Sequence, residues 1–264
     1  MSQPPVELVD THCHLTFKEL APRLGSIIAD GRAVGVSRMI TVACKVEEAE
    51  SALALSRLHG GLWVAAGIHP HDARAATREK IEQLASLWHD PRMVACGEMG
   101  LDYHYDFSPR HVQQSVFQWQ LERAAQTPLP IVVHCREALD DVVRILAEQG
   151  YVGRRVVFHC FSGTAAEGAD LRARGWWTSF TGVITFKNAA GSQEACAQTP
   201  TDGLMFETDS PYLSPEPVRQ MRPNEPRNLV HIVRFAAILR GESFQALAET
   251  CTANAVRFFN LGQE

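Results

Sequence analysis

Short apolar runs rich in β-branched residues alternate along the chain with longer segments of helical period. The pattern predicts eight strands, at Glu7–His12, Arg38–Ala43, Trp63–Ile68, Met93–Glu98, Ile131–His134, Val156–His159, Trp177–Thr181 and Leu204–Glu207. It predicts helices near residues 18–34, 46–59, 77–88, 110–126, 137–149, 165–174, 187–197 and 226–240. Alternation of strand and helix at this spacing is typical of a parallel sheet. Because the predicted strands are continuously apolar, we expect the sheet to be buried on both faces.

The number of strand–helix units predicts an α/β fold, a closed (β/α)8 TIM barrel. The chain has 264 residues, close to the roughly 250 typical of such a barrel. An open doubly wound sheet is the alternative, but no Gly-rich dinucleotide loop follows the first strand. Ser243–Asn260 predicts further helices packed outside, and the Pro-rich stretch Ser210–Pro226 predicts a long loop after the last strand. No linker divides the chain, so we expect residues 1–264 to form a single domain.

Charge and composition limit the classes of partner and location. The net charge of −5 leaves no broad basic field to attract nucleic acid from a distance, so an anionic substrate must be held by a local site. Neither a signal-peptide pattern nor an apolar run long enough to cross a bilayer is present. We therefore expect a cytoplasmic protein with no membrane partner, whose seven cysteines are reduced thiols.

Histidine and carboxylate side chains stand where the predicted strands end. His12 and His14 are two residues apart and so share one face of the first strand. The carboxyl ends of barrel strands converge on one mouth, where active sites of this fold lie. A single histidine there would be an ordinary buried residue, but polar groups at five strand ends would each be costly without a partner. The pattern therefore predicts a metal centre with the ligands His12, His14, Glu98, His134, His159 and Asp209.

This set of ligands fits two divalent metal ions. Glu98 has two carboxylate oxygens and could bridge the ions. Two carboxylates, a hydroxide and one phosphodiester anion would together balance the charge of the ions. Mixed nitrogen and oxygen ligands suit zinc, manganese, nickel or iron better than calcium, and magnesium is also compatible. One ion would have His12, His14 and Asp209 as ligands, and the other His134 and His159.

Six short motifs surround or adjoin these residues. They are LVDTHCH at Leu8–His14, PIVVHCREALD at Pro130–Asp140, LMFETDSPYL at Leu204–Leu213, and the stretches Gly67–Pro70, Gly97–Asp102 and Asn224–Pro226. Together they resemble the TatD family of metal-dependent hydrolases, within the amidohydrolase-like barrels, over nearly the whole chain. The resemblance implies a TIM barrel of the metal-dependent hydrolase type, a two-metal site and deoxyribonuclease activity, often described as 3′–5′ exonuclease activity. One departure is Thr16, where the family commonly has Asp or Asn.

Other polar residues near the predicted strand ends are candidates for binding substrate. Arg136 could clamp a phosphate through its planar guanidinium, or form a surface salt bridge. His69 and His71 follow the third strand and could face substrate, a third metal ion or solvent; the resemblance favours His69. Arg222 and Asn224 could reach the substrate backbone from the loop after the last strand, or serve ordinary turn chemistry.

Several neighbours of the predicted ligands have different expected roles. Strand alternation turns the thiols of Cys13, Cys135 and Cys160 towards the helix layer, so we interpret them as small buried hydrophobic residues. In an ideal strand Glu207 shares the face of Asp209, which makes it a candidate for supporting the ligands. The pattern assigns Asp102 to a loop, without a role.

The predicted reaction is hydrolysis of a phosphodiester by a water that the metal ions acidify. Asp209 would orient this water and accept its proton, and Glu98 would hold the ions about 3.5–4 Å apart. Hydrolysis of a carbonyl ester or amide, as in a D-aminoacyl-tRNA deacylase, is an alternative because the same water attacks carbon. A catalytically silent metal-binding protein is an alternative of another class.

The expected partner is nucleic acid, in particular the single-stranded ends of DNA. A narrow barrel mouth admits such an end more readily than the middle of a duplex. Because a protein of net charge −5 cannot rely on a wide basic groove, binding should involve few phosphates and weaken only gently with salt. Trimming from the 3′ end follows from the resemblance alone. We infer no obligate protein partner.

Overall fold

The computed structural model describes residues 6–262, and its central sheet has eight strands that follow one another in sequence order. The strands are β1 (Leu8–Cys13), β2 (Val36–Ala43), β3 (Leu62–Ala66), β4 (Met93–Asp102), β5 (Ile131–Arg136), β6 (Val156–Phe158), β7 (Trp177–Phe180) and β8 (Leu204–Phe206). The helices are α1 (Leu24–Ala33), α2 (Val46–Leu58), α3 (Arg78–Leu87), α4 (Arg110–Ala124), α5 (Leu139–Glu148), α6 (Ala165–Ala173), α7 (Ala190–Gln198), α8 (Leu229–Arg240) and α9 (Phe244–Phe259). Parallel strands, each followed by a helix, make the predicted (β/α)8 TIM barrel.

The strands are buried because helices cover them. Strands β1, β3, β4, β6 and β8 are buried along their whole length, as expected for parallel strands in an α/β fold. Helix α5 shows the matching pattern, since it buries Val142, Ile145 and Leu146 on one stripe. The predicted burial of the sheet on both faces is therefore confirmed.

Strands β4 and β5 run further than the sequence pattern predicts. They end at Asp102 and Arg136 instead of Glu98 and His134. Gly100 has a φ of +146°, and a Cβ at this position would collide with the backbone of His134. The missing side chain lets the two backbones approach, so that pairing continues as far as Asp102 opposite Arg136. The prediction that Asp102 lies in a loop is therefore wrong.

Strands β6 and β8 end earlier than predicted, at Phe158 and Phe206. Cys160 and Asp209 have positive φ values of 47° and 53°, which an extended strand does not allow. The chain therefore turns directly after each short strand. His159 and the residues after Phe206 lie beyond the strand ends. Their side chains therefore need not alternate between the two faces of the sheet.

The predicted outer helices at the end of the chain are one helix, α9. The Ser243 hydroxyl caps its amino end by accepting a hydrogen bond from the Ala246 N–H. The Asn254 side chain donates to the carbonyls of Thr201 and Leu204, at 2.7 and 2.9 Å. These bonds tie α9 to the amino end of β8.

By internal packing the chain divides into two compact units. One comprises residues up to Thr41, Cys160–Arg172 and residues from Thr178 onward, and the other comprises Val42–His159 and Ala173–Trp177. The expectation of a single domain over residues 1–264 stays a prediction. Between residues 6 and 262, no helix combines the length and apolar character that crossing a bilayer requires. The cytoplasmic location likewise stays a prediction.

Candidate metal centre

The first group of candidate ligands lies at the carboxyl end of β1. His12 Nε2 and His14 Nε2 are 3.3 Å apart, and Asp209 Oδ1 lies 3.4 Å from His14 Nε2 and 3.9 Å from His12 Nε2. The buried Cys13 thiol between the two histidines donates to the Ile40 carbonyl of β2 at 3.4 Å. Two imidazole nitrogens and a carboxylate oxygen that converge in this way form a donor set for a divalent transition metal.

Backbone pairing brings Asp209 to the two histidines. The Asp209 N–H donates to the His12 carbonyl at 2.9 Å, and the His14 N–H donates to the Ser210 carbonyl at 2.7 Å. The segment after β8 thus continues beside the end of β1. The positive φ of Asp209 turns the chain there, so the position of its carboxylate is set by hydrogen bonds as well as by the strand.

A buried carboxyl group that sequence reasoning did not single out supports this turn. Asp10 accepts hydrogen bonds from the Thr208 N–H and hydroxyl, at 2.9 and 2.5 Å. Burial raises the pKa of Asp10 to about 7, although the hydrogen bonds from Thr208 act in the opposite direction. The only signal in the sequence is its place in the LVDTHCH motif.

The second group surrounds Glu98 at the end of the third to sixth strands. Glu98 is buried, and its Oε1 lies 2.7 Å from His134 Nδ1, 2.7 Å from His159 Nε2 and 3.4 Å from His69 Nε2. Burial lowers the pKa of His69 to about 4, against the attraction of Glu98. A neutral imidazole is the form that binds metals. The structure thus adds His69, predicted as a substrate contact, to the groups that could hold an ion.

Both groups fit metal ions by the chemistry of their donors. Within each of the sets His12–His14–Asp209 and His69–Glu98–His134, the candidate ligand atoms lie within 4.8 Å of one another. Imidazole nitrogens and carboxylate oxygens at such distances are donors of the kind that divalent transition metals bind. The six predicted ligands are therefore brought together in two groups, and their roles as ligands remain a proposal.

Asp102 is a residue of this site whose role sequence reasoning missed. Its Oδ2 lies 3.0 Å from His134 Nε2 and 2.9 Å from His71 Nε2. Its Oδ1 accepts hydrogen bonds from the N–H groups of His104 and Tyr105, both at 3.0 Å. Burial alone would raise the pKa of Asp102, but the hydrogen bonds from His134 and His71 hold it below its usual range. Asp102 is therefore a carboxylate that orients His134.

Glu207, two residues before Asp209, joins three parts of the chain by hydrogen bonds. Its carboxylate accepts hydrogen bonds from the Cys160 N–H at 2.7 Å, the Ser179 hydroxyl at 2.7 Å and the Thr11 hydroxyl at 3.2 Å. The side chain is buried. This position agrees with a supporting role for Glu207.

The predicted substrate contacts have different surroundings. Arg136 is exposed, and its guanidinium carbon lies 4.7 Å from the centre of the Tyr105 ring. Arg222 is also exposed. Asn224 is buried, and its amide donates to the carbonyls of Thr208 and Tyr212 at 3.0 and 2.6 Å. Both amide hydrogens of Asn224 are used within the loop, which favours the turn-chemistry alternative for this residue.

Comparison with known proteins shows to which family this chain is related. Residues 9–260 match the sequence model of the TatD-related DNase family. The "uncharacterized metal-dependent hydrolase YabD" of Bacillus subtilis (strain 168) is 36% identical over 254 residues, which are 96% of this chain and 99% of that protein. The "3′-5′ ssDNA/RNA exonuclease TatD" of Erwinia tasmaniensis is 37% identical over 259 residues, with 96% and 100% covered.

Solved structures give the same result for the fold. The crystal structure of YJJV, a TatD homologue from Escherichia coli K12, matches with a TM-score of 0.91 and 27% identity, covering 97% of this chain and 98% of that one. A TatD-family hydrolase from Entamoeba histolytica, 22% identical, shares the fold with a TM-score of 0.87, covering 97% and 98%. With the family match over nearly the whole length, this chain belongs to the TatD-related DNase family and has the metal-dependent hydrolase fold.

Proposed function

We propose that this protein is a metal-dependent phosphodiester hydrolase that trims single-stranded DNA from its 3′ end. The observation that carries the proposal is the pair of buried ligand groups, one at His12, His14 and Asp209 and one around Glu98. In (β/α)8 barrels the carboxyl ends of the strands carry the catalytic residues. The name of the Erwinia relative, an exonuclease acting on single strands, supports the substrate and the polarity.

Two divalent ions are proposed, one for each group, with manganese, zinc, nickel or magnesium as candidates. The first group would use the imidazoles of His12 and His14 with Asp209, and the second would use Glu98 with the imidazoles that face it. When bound, such ions lower the pKa of water and stabilise the negative charge that develops on phosphodiester oxygens.

The residues of the chain itself have separate tasks in this proposal. Asp209 is partly exposed, with 13% of its side chain accessible, so one carboxylate oxygen can orient the attacking water and accept its proton. Glu98 is 4% exposed and places its carboxyl group among the three imidazoles of His134, His159 and His69. Asp102 keeps the ring of His134 in place through the 3.0 Å contact at Nε2.

Substrate binding must be local because the protein carries a net charge of −5. Arg136 is exposed beside the second ligand group at the end of β5, where its guanidinium could contact a phosphate. Arg222 would supply a further contact from the loop after β8. With so few cations, the protein would hold a short stretch of a single strand.

The test is degradation of a 5′-labelled single-stranded oligonucleotide by protein reloaded with manganese or magnesium after chelation. We expect a ladder that shortens one nucleotide at a time and that disappears without metal. Asp209→Asn should abolish it, whereas His89→Ala, a change of an exposed histidine between α3 and β4, should not. Equal rates on circular and linear strands would refute trimming from an end. Turnover of acyl-tRNA or amides but not of DNA would refute the phosphodiester substrate.

A further inference from the structure

Two aromatic side chains on the loop between β4 and α4 stand out into solvent. Tyr105 is 47% exposed and Phe107 is 59% exposed. Their rings are parallel, with centroids 5.4 Å apart. Leaving aromatic surface in water forgoes about 25 cal/mol for every Å² that burial would remove, so these two adjacent exposed rings are a candidate contact surface for a ligand.

The loop that carries these rings is held at both ends. The buried Gln113 side chain donates to the carbonyls of Asp102 and Ser108, at 2.9 and 2.8 Å. The Ser108 hydroxyl donates to the His71 carbonyl at 3.0 Å, and the Tyr105 N–H donates to Asp102 Oδ1 at 3.0 Å. The rings are thus presented by a braced backbone, and a ligand would meet a surface that is already ordered.

The rings adjoin the second ligand group through a single imidazole. The His71 ring is perpendicular to both, with centroids 4.8 Å from Phe107 and 5.6 Å from Tyr105. The centroid of the His71 ring also lies 4.3 Å from that of His69, whose Nε2 is 3.4 Å from Glu98 Oε1. A group stacked on the rings would therefore lie close to the second ligand group.

Charged side chains surround the rings, which points to the kind of ligand. The Arg136 guanidinium lies 4.7 Å from the Tyr105 ring centre. Next to Tyr105, the exposed side chains of His104 and Glu137 contact each other, with His104 Nδ1 2.7 Å from Glu137 Oε1. The core of a protein interface is depleted in charged residues, whereas flat aromatic rings next to arginine are the usual surface for unpaired bases of nucleic acid.

We propose that Tyr105 and Phe107 form a stacking site for an unpaired base of the substrate strand, with Arg136 beside it to contact the strand's phosphate. The inference rests on the proposed function and extends it to a binding site for a specific part of the substrate. Bases of any sequence present a flat face, so the site is indifferent to sequence. A base within a duplex is already stacked and paired, and so the site selects single strands.

The test compares two single strands of equal length and charge, one intact and one with abasic sugars at its last three 3′ positions. Stacking of a base on an aromatic side chain corresponds to about a 5- to 150-fold difference in binding. We expect wild-type kcat/KM to be higher on the intact strand by a factor in this range. Tyr105→Ala/Phe107→Ala should lose that factor on the intact strand, mainly through KM, and should leave the abasic strand unaffected.

Two further variants control the experiment. Phe107→Trp keeps a flat ring and should retain the preference for the intact strand. Ile238→Ala removes an 82% exposed apolar side chain of α8, outside the proposed site, and should behave as wild type on both strands. If the double variant lowers kcat/KM equally on both strands, the rings have a structural role and the inference is wrong.

The outcomes also separate this inference from the proposed function. Wild-type protein that degrades intact and abasic strands at the same rate is still a nuclease, but it has no base-stacking site. Wild-type protein that degrades neither strand with any divalent metal overturns the proposed function and this inference with it. A preference for the intact strand that depends on the two rings supports both.

Discussion

Asp102 and His134 form a carboxylate–imidazole pair in which Asp102 Oδ2 lies 3.0 Å from His134 Nε2. The other nitrogen of the ring, Nδ1, lies 2.7 Å from Glu98 Oε1. If Asp102 accepts the Nε2 proton, the lone pair of Nδ1 faces Glu98, and His134 would be oriented as a ligand for a metal ion. In that tautomer the contact with Asp102 directs Nδ1 of this candidate ligand towards Glu98.

Asp102→Ala should therefore weaken metal binding without removing a ligand. Loss of such a supporting carboxylate typically lowers metal affinity or activity about 10- to 100-fold. Calorimetric titration of chelator-treated protein with manganese measures the affinity, and turnover on DNA provides a second readout. His71→Ala, which leaves the Asp102–His134 contact intact, should have a smaller effect. An Asp102→Ala protein with unchanged metal affinity would contradict the assigned role.

Adjacent residues of β5 should respond in opposite ways. His134→Ala removes an imidazole that contacts Glu98 and should lose activity and about one metal ion per chain, as elemental analysis would show. Cys135→Ala should retain metal and activity. It should lower the free energy of unfolding by no more than about 3 kcal/mol, as most point substitutions do. If Cys135→Ala loses metal and His134→Ala keeps it, the strand register of the site is wrong.

The affinity for single-stranded DNA should depend only weakly on salt. Each phosphate neutralised contributes about −0.7 to the slope of log K against log salt for single strands, and few cations are available. Arg136→Ala should make the slope shallower by about 0.7 if Arg136 neutralises one phosphate. Arg57→Ala, at an arginine of α2 paired with Asp90, should leave the slope unchanged. A steep slope in the wild type would indicate a wide basic groove that the sequence does not predict.

Buried thiols should lower the stability of the protein at alkaline pH. Burial raises the pKa of Cys196 from 9.0 to about 12, while Arg240 acts in the opposite direction. The unfolded chain therefore loses this proton at lower pH than the folded chain. The contribution of the Cys196 thiol to the free energy of unfolding is complete below pH 9. It falls as the pH rises from 9 to about 12, by up to about 1.4 kcal/mol per pH unit.

Urea unfolding between pH 8 and 10.5 measures this dependence. Cys196→Ala should make the fall in unfolding free energy less steep than in the wild type, whatever its effect at pH 8. Ser192→Ala, at another buried position of α7 without a titratable group, should keep the wild-type steepness. Identical pH profiles for Cys196→Ala and wild type would show that the thiol does not contribute.

The sequence by itself determined the order of strands and helices and the candidate ligands in or next to the strands, although β4, β5, β6 and β8 end at other residues than predicted. These follow from local properties: apolar β-branched runs form strands, and a period of two places His12 and His14 on one face. The six predicted ligands came from the same rule, because barrel strands all present their carboxyl ends on one side. The structure brings these side chains together in two groups, and their roles as ligands stay a prediction.

Only the tertiary structure decided which side chains support those ligands. Asp102 has a role because Gly100 lets β4 and β5 approach and continue pairing, which no periodicity within β4 predicts. His69 reaches Glu98 because their strands are neighbours. Such contacts join residues about 30 positions apart, and their geometry depends on how backbones pack. The period of apolar residues along the chain indicates which face of a helix or strand is buried. Contacts between side chains of different helices and strands depend on how the whole chain folds.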